Sequence, residues 1–234
     1  YSMHNYMLRY WLAEGGIDPD HDVRIVVAPP SRMGSRLAAG ELDGFCAGEP
    51  WNAVAEDQNL GEVAMRASDV WRDGPEKVLG VTAAWARSEP ETLQALLRAL
   101  LRAAAWCDAP ENHAALAELL SRPEYVDAPA ESIRRSLPAT NFHRDGANAP
   151  QPVQAAWLLS QMMRWGHAPR EIDLRGLVEH VYRLDLYNQA AQDLGWPAAP
   201  AAEVVDGFAE GATFRLDEAR AYASSFALGR LGRS

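Results

Sequence analysis

The feature that most limits the fold is a change of rhythm along the chain. Up to about residue 83, helical runs alternate with short strand-like runs on brief connections; beyond that point the pattern is helical. Such alternation is expected of βαβ units, in which each helix returns the chain to a mostly parallel sheet. Ser2 is placed to cap a first helix with Met3, Met7, Tyr10 and Trp11 on one face, stopped by Gly15 and Gly16. Residues 23–27 read as a strand, Pro29-Pro30 as a turn, 32–39 as a helix ended by Gly40, and 42–47 as a second strand. A helix after Pro50 and strands at 62–66 and 77–82 complete the block.

Ser88-Glu89-Pro90-Glu91 has the form of a capping box with proline in the first turn. It predicts a long helix ending near Asp108, with leucines 93, 96, 97, 100 and 101 as its apolar stripe. Further helices are expected over 111–120, 130–137, 151–165, around 177–182 and over 217–228, with Trp157 and Trp165 in the core. The Asn-, Gly- and Pro-rich stretch 140–152 is the best place for a loop between subdomains. The expected architecture is thus α/β, with one α/β lobe over residues 1–85 and a mainly helical region over 86–234.

Composition narrows the partners. Basic and acidic side chains number 22 and 32, a net charge of −10, which disfavours nucleic acid and an anionic membrane surface. No apolar run is long enough to insert in a membrane as a helix. Two cysteines, Cys46 and Cys107, are too few for a disulfide scaffold and read as free thiols. The chain begins at Tyr1 without a leader, so the encoded amino terminus is expected to lie elsewhere.

Lys77 is the only lysine, among arginines that carry the rest of the basic charge. An ammonium is a compact point charge and a guanidinium a wide planar fork, so a small pocket for a small anion could take the first and exclude the second. His4 falls in the first turn of the first helix, where free N–H groups and the positive end of the helix dipole favour an anion. Spacing alone does not show that the two meet. Glu76, Glu49 and Asp43 offer carboxylates for a hard cation such as calcium, with Glu76 the candidate, but no acidic spacing of the EF-hand kind supports a metal site. Cys46 sits in an apolar, strand-like run that suits a buried inert thiol. There is no Walker A motif, no GxGxxG, no G-x-S-x-G and no zinc spacing, so neither an enzyme nor a cofactor is indicated.

Several runs together resemble a known family: Ser2 to Tyr6 with Leu8 to Leu12, Gly16 to Pro19, Val27 to Pro30, Leu42 to Asn52 and Pro75 to Gly80. Trp106-Cys107-Asp108, Gln161 to Gly166 and Asp185-Leu186-Tyr187 extend the likeness. The chain is similar to the nitrate- and bicarbonate-binding proteins of ABC importers, densely over residues 1–110 and more loosely beyond. The resemblance implies a periplasmic-binding-protein fold of type II, with a small oxyanion held in a cleft. It implies that His4 contacts the anion, with histidine as in the nitrate type, that Lys77 supplies positive charge and that Pro30 lines the pocket. Glu76 could serve a bicarbonate hydroxyl directly or through calcium, and Glu49 is a secondary candidate. Residues 1–85 are then expected to be the second lobe, the amino-terminal segment that forms most of the first lobe to be missing, and the helical region 86–234 to return toward that first lobe. The implied partners are an ABC permease for a periplasmic protein or a regulatory protein for a cytoplasmic nitrate sensor.

Overall fold

A computed structural model describes residues 2–72, 74–208 and 211–229. Among them, the helices in chain order are α1 (Met3–Glu14), α2 (Pro30–Ala38), α3 (Trp51–Asp57), α4 (Ala67–Val70), α5 (Ala83–Ser88), α6 (Pro90–Asp108), α7 (His113–Leu120), α8 (Ala130–Ser136), α9 (Pro152–Arg164), α10 (Leu174–Val181) and α11 (Leu184–Asp193). A short hairpin, β1 (Val204–Val205) and β2 (Phe214–Arg215), precedes α12 (Ala219–Ser224). The compact units are not two consecutive stretches. One comprises Tyr1–Val23, Ala67–Leu101 and Gly146–Ser234; the other comprises Arg24–Arg66 and Arg102–Asp145. One passage between them falls inside the 140–152 stretch.

The first unit is organised on α9. Pro152 starts this helix without needing an N–H, and Val153, Ala156, Trp157, Leu159, Ser160, Gln161, Met163 and Arg164 are all buried. A helix buried on most of its circumference must be clad by others. α1 supplies Met7 and Tyr10, α10 supplies Leu174 and Val178, and α12 supplies Ala219 and Ala223. The centre is aromatic: the Trp71 ring lies 4.9 Å from both Trp157 and Phe208, and Tyr10 lies 5.8 Å from Trp157. Burying one such ring removes some 150–250 Å² from water, roughly 4–6 kcal/mol at about 25 cal/mol per Å².

The Gln161 to Gly166 run closes α9. Gly166 adopts φ +70°, and the N–H groups of Gly166 and His167 donate to the carbonyls of Met163 and Met162 at 3.0 and 2.7 Å. The buried Arg164 guanidinium lies 3.7 Å from the Phe226 ring centroid and donates from Nε to the Leu228 carbonyl at 2.9 Å, which ties the later chain to α9. A second cluster in this unit packs Leu97 and Leu101 of α6 on Tyr187, Ala190 and Ala191 of α11.

The second unit is built on α3, α7 and α8, with Leu116, Ala117, Ile133 and Leu137 in its core and Trp51, Val54 and Cys107 packed against them. Its main polar anchor is Asp108, whose side chain is only 5% exposed. The carboxylate accepts the N–H groups of Phe142, His143 and Arg144 at 3.1, 3.2 and 2.7 Å, and Nη1 of Arg144 at 2.7 Å. Burial pushes this carboxyl up, but the N–H groups of Arg144 and Phe142, the Arg144 guanidinium and the His143 N–H outweigh it and hold the group below the ordinary carboxylate range.

Four expectations are corrected. The strands predicted over 23–27, 42–47, 62–66 and 77–82 form no ladder; among the described residues the strands are β1 and β2, antiparallel with Val204 opposite Arg215, and a single bridge joins Trp71 to Phe208. β propensity reports fitness for a sheet, whereas a strand exists only where a neighbour supplies hydrogen bonds, and Val27 is here 99% exposed. The capping box does not form: Thr82 caps α5 by accepting the Trp85 N–H at 3.2 Å, and the Ser88 hydroxyl donates back to the Trp85 carbonyl. The stripe of α6 narrows to Leu93, Leu97 and Leu101, since Leu96 and Leu100 are exposed. α11 has no counterpart among the expected helices; within it the Asn188 amide bonds the Ala199 N–H and carbonyl at 2.8 and 3.0 Å and folds the following turn back.

Trp157→Ala is expected to lower unfolding stability by about 3–5 kcal/mol, the range for deleting a buried aromatic. Asp108→Ala, which leaves three N–H groups short of an acceptor, is expected to cost about 2–4 kcal/mol. Urea unfolding followed by circular dichroism measures both; a loss below ~1 kcal/mol in either would contradict the packing described.

Candidate functional site

α1 starts where the Ser2 hydroxyl accepts the Asn5 N–H at 3.2 Å, which puts His4 in the first turn. Gly16, at φ +78°, ends the helix, and the Ile17 N–H returns to the Leu12 carbonyl at 2.9 Å. The buried face, Tyr6, Met7, Tyr10 and Ala13, fixes the rotation of the helix and leaves His4 half-buried at its edge. Trp11, expected on that face, is 38% exposed.

The other side of the site comes from the chain after α4. Val70 and Trp71 enter the same core as Tyr10, and the Arg72 N–H donates to the Gly207 carbonyl at 3.0 Å. Gly74 then turns over the Trp71 indole so closely that a Cβ there would sit 3.2 Å from two ring carbons. That tight turn delivers Pro75, Glu76 and Lys77 to the start of α1.

One carboxylate oxygen joins the two side chains. Oε1 of Glu76 lies 2.9 Å from Nε2 of His4 and also contacts Nζ of Lys77. Burial raises the Glu76 pKa, but hydrogen bonds from His4 and Lys77 and their charges outweigh it and bring the carboxyl down to about 2. Glu76 is therefore ionised near neutrality, between two donors.

The structure thus brings together His4, Glu76 and Lys77 within one unit. It does not enclose them. The Lys77 side chain is 76% exposed, so the narrow pocket expected to admit an ammonium and exclude a guanidinium is not formed by the residues around it in this unit. Pro30 and Glu49 belong to the other unit. Pro30 is exposed and opens α2, where it needs no N–H partner. Glu49 acts locally, accepting the Ala53 N–H at the start of α3 at 3.2 Å and pairing with Arg66 at 3.5 Å. Cys46 and Cys107 are half-buried, and burial pushes the Cys107 thiol up.

Two cavities lie elsewhere. One of about 200 Å³ is lined by Glu179, Tyr182, Asp185 and Glu203, whose carboxylates suit no anion. The other, of about 550 Å³, lies among the alanines of α7 and α8. Among the described residues no group of three His, Cys, Asp or Glu side chains could hold a metal, and no helix is long and apolar enough to cross a membrane. In the sequence, Glu76 stands out only as an acceptor for a hydroxyl or calcium. Its place as the bridge between His4 and Lys77 leaves no signal there beyond its adjacency to the lone lysine.

Comparison with known proteins gives the site its context. The profile of the NMT1-like family matches residues 1–121. The chain is 39% identical over 215 residues to the nitrate import ATP-binding protein NrtC of Synechocystis sp. PCC 6803, covering 84% of this chain and 32% of that protein. It is 34% identical over 238 residues to the nitrate/nitrite binding protein NrtA of Synechococcus elongatus PCC 7942, covering 94% of this chain and 54% of that one. The crystal structure of the periplasmic nitrate-binding protein NrtA from Synechocystis PCC 6803 superposes with a TM-score of 0.89 at 31% identity, over 97% of this chain and 64% of the other. The fold is therefore that of a periplasmic binding protein of type II, and the chain spans less than two thirds of each relative named.

The lowered Glu76 pKa sets a pH dependence. A carboxyl held at about 2 when folded, against an ordinary 4.5, contributes stability that is full above pH 4.5 and is lost as pH falls toward 2. For a half-exposed group, screened by solvent, the increment is on the order of 1 kcal/mol. Urea midpoints measured from pH 5 to 2.5 are expected to fall more steeply for the native chain than for Glu76→Gln; parallel profiles would contradict the bridge.

Proposed function

The chain belongs to the NMT1-like family, and from that premise we propose that it holds a small oxyanion, nitrate before bicarbonate, as the substrate-binding component of an ABC importer. The observation that carries this reading is the convergence of Nε2 of His4 and Nζ of Lys77 on one oxygen. Nitrate is planar, singly charged and only an acceptor, so an imidazole N–H and an ammonium beside the start of a helix answer it without any acceptor in return. His4 and Lys77 bind the ligand directly. Pro30 joins the ligand's surroundings on the resemblance alone. No catalytic step is assigned, and no cofactor.

In this role the protein works in the periplasm, and its loaded form delivers the anion to a membrane permease driven by ATP hydrolysis on another subunit. Bicarbonate differs by one hydroxyl, which Glu76 would accept directly or through calcium. The alternative reading is the same anion site in the cytoplasm as a nitrate sensor, with binding passed to a regulatory protein by a shift of population. The full reading frame distinguishes the two, because an export leader marks the importer component and a cytoplasmic start marks the sensor.

Calorimetric titration with sodium nitrate tests the site. Lys77→Ala and His4→Ala are each expected to weaken binding at least tenfold, as loss of one charge-assisted contact from a small ligand should, with circular dichroism unchanged. His4→Gln is expected to weaken nitrate and admit bicarbonate, read with and without calcium. Wild-type affinity in Lys77→Ala would sink the assignment.

A further inference from the structure

We propose that Glu76 is an internal competitor for the anion: in the free chain its carboxylate occupies donors of His4 and Lys77, and a bound oxyanion takes its place. This rests on the anion-site reading above and adds how the empty site is kept. The geometry that carries it is the sharing of a single oxygen. Oε1 of Glu76 receives both the imidazole and the ammonium, the arrangement that one oxygen of a small oxyanion would adopt between the same donors. A carboxylate and nitrate present the same kind of edge, a planar pair of acceptor oxygens on one central atom, so the donors that satisfy one satisfy the other.

Two properties make the carboxylate a competitor and not a fixed part of the floor. It is tethered beside Lys77, so its effective concentration at the donors is high and an outside anion must outbid a bound one. Its side chain is 49% exposed, so it can rotate into water without stranding a buried charge. If it stayed in place while an anion bound, two negative groups would share the same two donors, which repulsion opposes. Its retention of charge near neutrality, with a pKa brought down to about 2, keeps this competition active across the range in which the protein works.

Removing the charge while keeping the shape separates the two roles of Glu76. In Glu76→Gln the free chain loses the two charge-assisted bonds and becomes less stable, while nitrate no longer displaces an anion and binds about tenfold more tightly or better. A residue that merely holds the local fold would lose stability and affinity together. The experiment is a calorimetric titration of the 234-residue chain and its Glu76→Gln and Glu76→Asp variants with sodium nitrate, with urea unfolding of each in nitrate-free buffer. Tighter binding in Glu76→Gln but not in Glu76→Asp, together with lower stability of the free Glu76→Gln chain, supports the proposal. Equal or weaker binding in Glu76→Gln, while the native chain binds nitrate, overturns it and leaves the anion-site reading standing. No binding by either protein overturns both.

Discussion

The packing of Tyr10 and Trp71 on Trp157 is the constraint on which the rest of the first unit depends. His4 belongs to a helix at the start of the chain and Lys77 to an irregular segment far along it, and neither has a local reason to meet the other. Both segments are anchored close to the same aromatic centre, α1 through Met7 and Tyr10 and the later segment through Val70 and Trp71. The hydrophobic term supplies the energy, and the ring shapes supply the register. The Trp71 bridge to Phe208 and the close approach of Gly74 then convert that register into the position of a carboxylate and an ammonium.

Electrostatics work on a shorter scale than the net charge suggests. The chain carries −10 overall, yet the region at the start of α1 gathers an imidazole and an ammonium around one carboxylate. Charges beyond about 10 Å are largely screened at ordinary ionic strength, so the local set governs what binds there. Asp108 obeys the same rule with the opposite outcome: three backbone N–H groups and Arg144 saturate it, and nothing about it is left to exchange. The difference is exposure, about half for Glu76 against 5% for Asp108, and it separates a carboxylate that can leave from one that is part of the framework.

What is legible in the sequence is what is decided locally. The cap at Ser2, the stop at Gly16, the start of α9 at Pro152 and the end of α6 at Asp108 all follow from groups within a turn of one another. The strands are not legible in this way, because valine content says nothing about whether a neighbouring backbone is there to pair with, and residues 24–28 and 75–81 have no such neighbour among the described residues. The runs that carry the family likeness are in part structural punctuation: Gly16 to Pro19 closes α1, and Gln161 to Gly166 closes α9. Of the candidate ligands, His4 and Lys77 are legible as residue types and not as a pair, since the pairing is a product of the Trp157 core.

The solitary lysine has a practical side. Amine-reactive reagents find one ε-amino group in this protein, and it is the one beside His4 and Glu76, 76% exposed and open to attack. Fastening the protein to a sensor chip, a resin or a fluorophore through its lysine would therefore seize it by the ammonium that meets Glu76. Coupling through a carboxyl far from α1 leaves that group untouched, so the choice of linker decides whether an immobilised sample is still the same molecule.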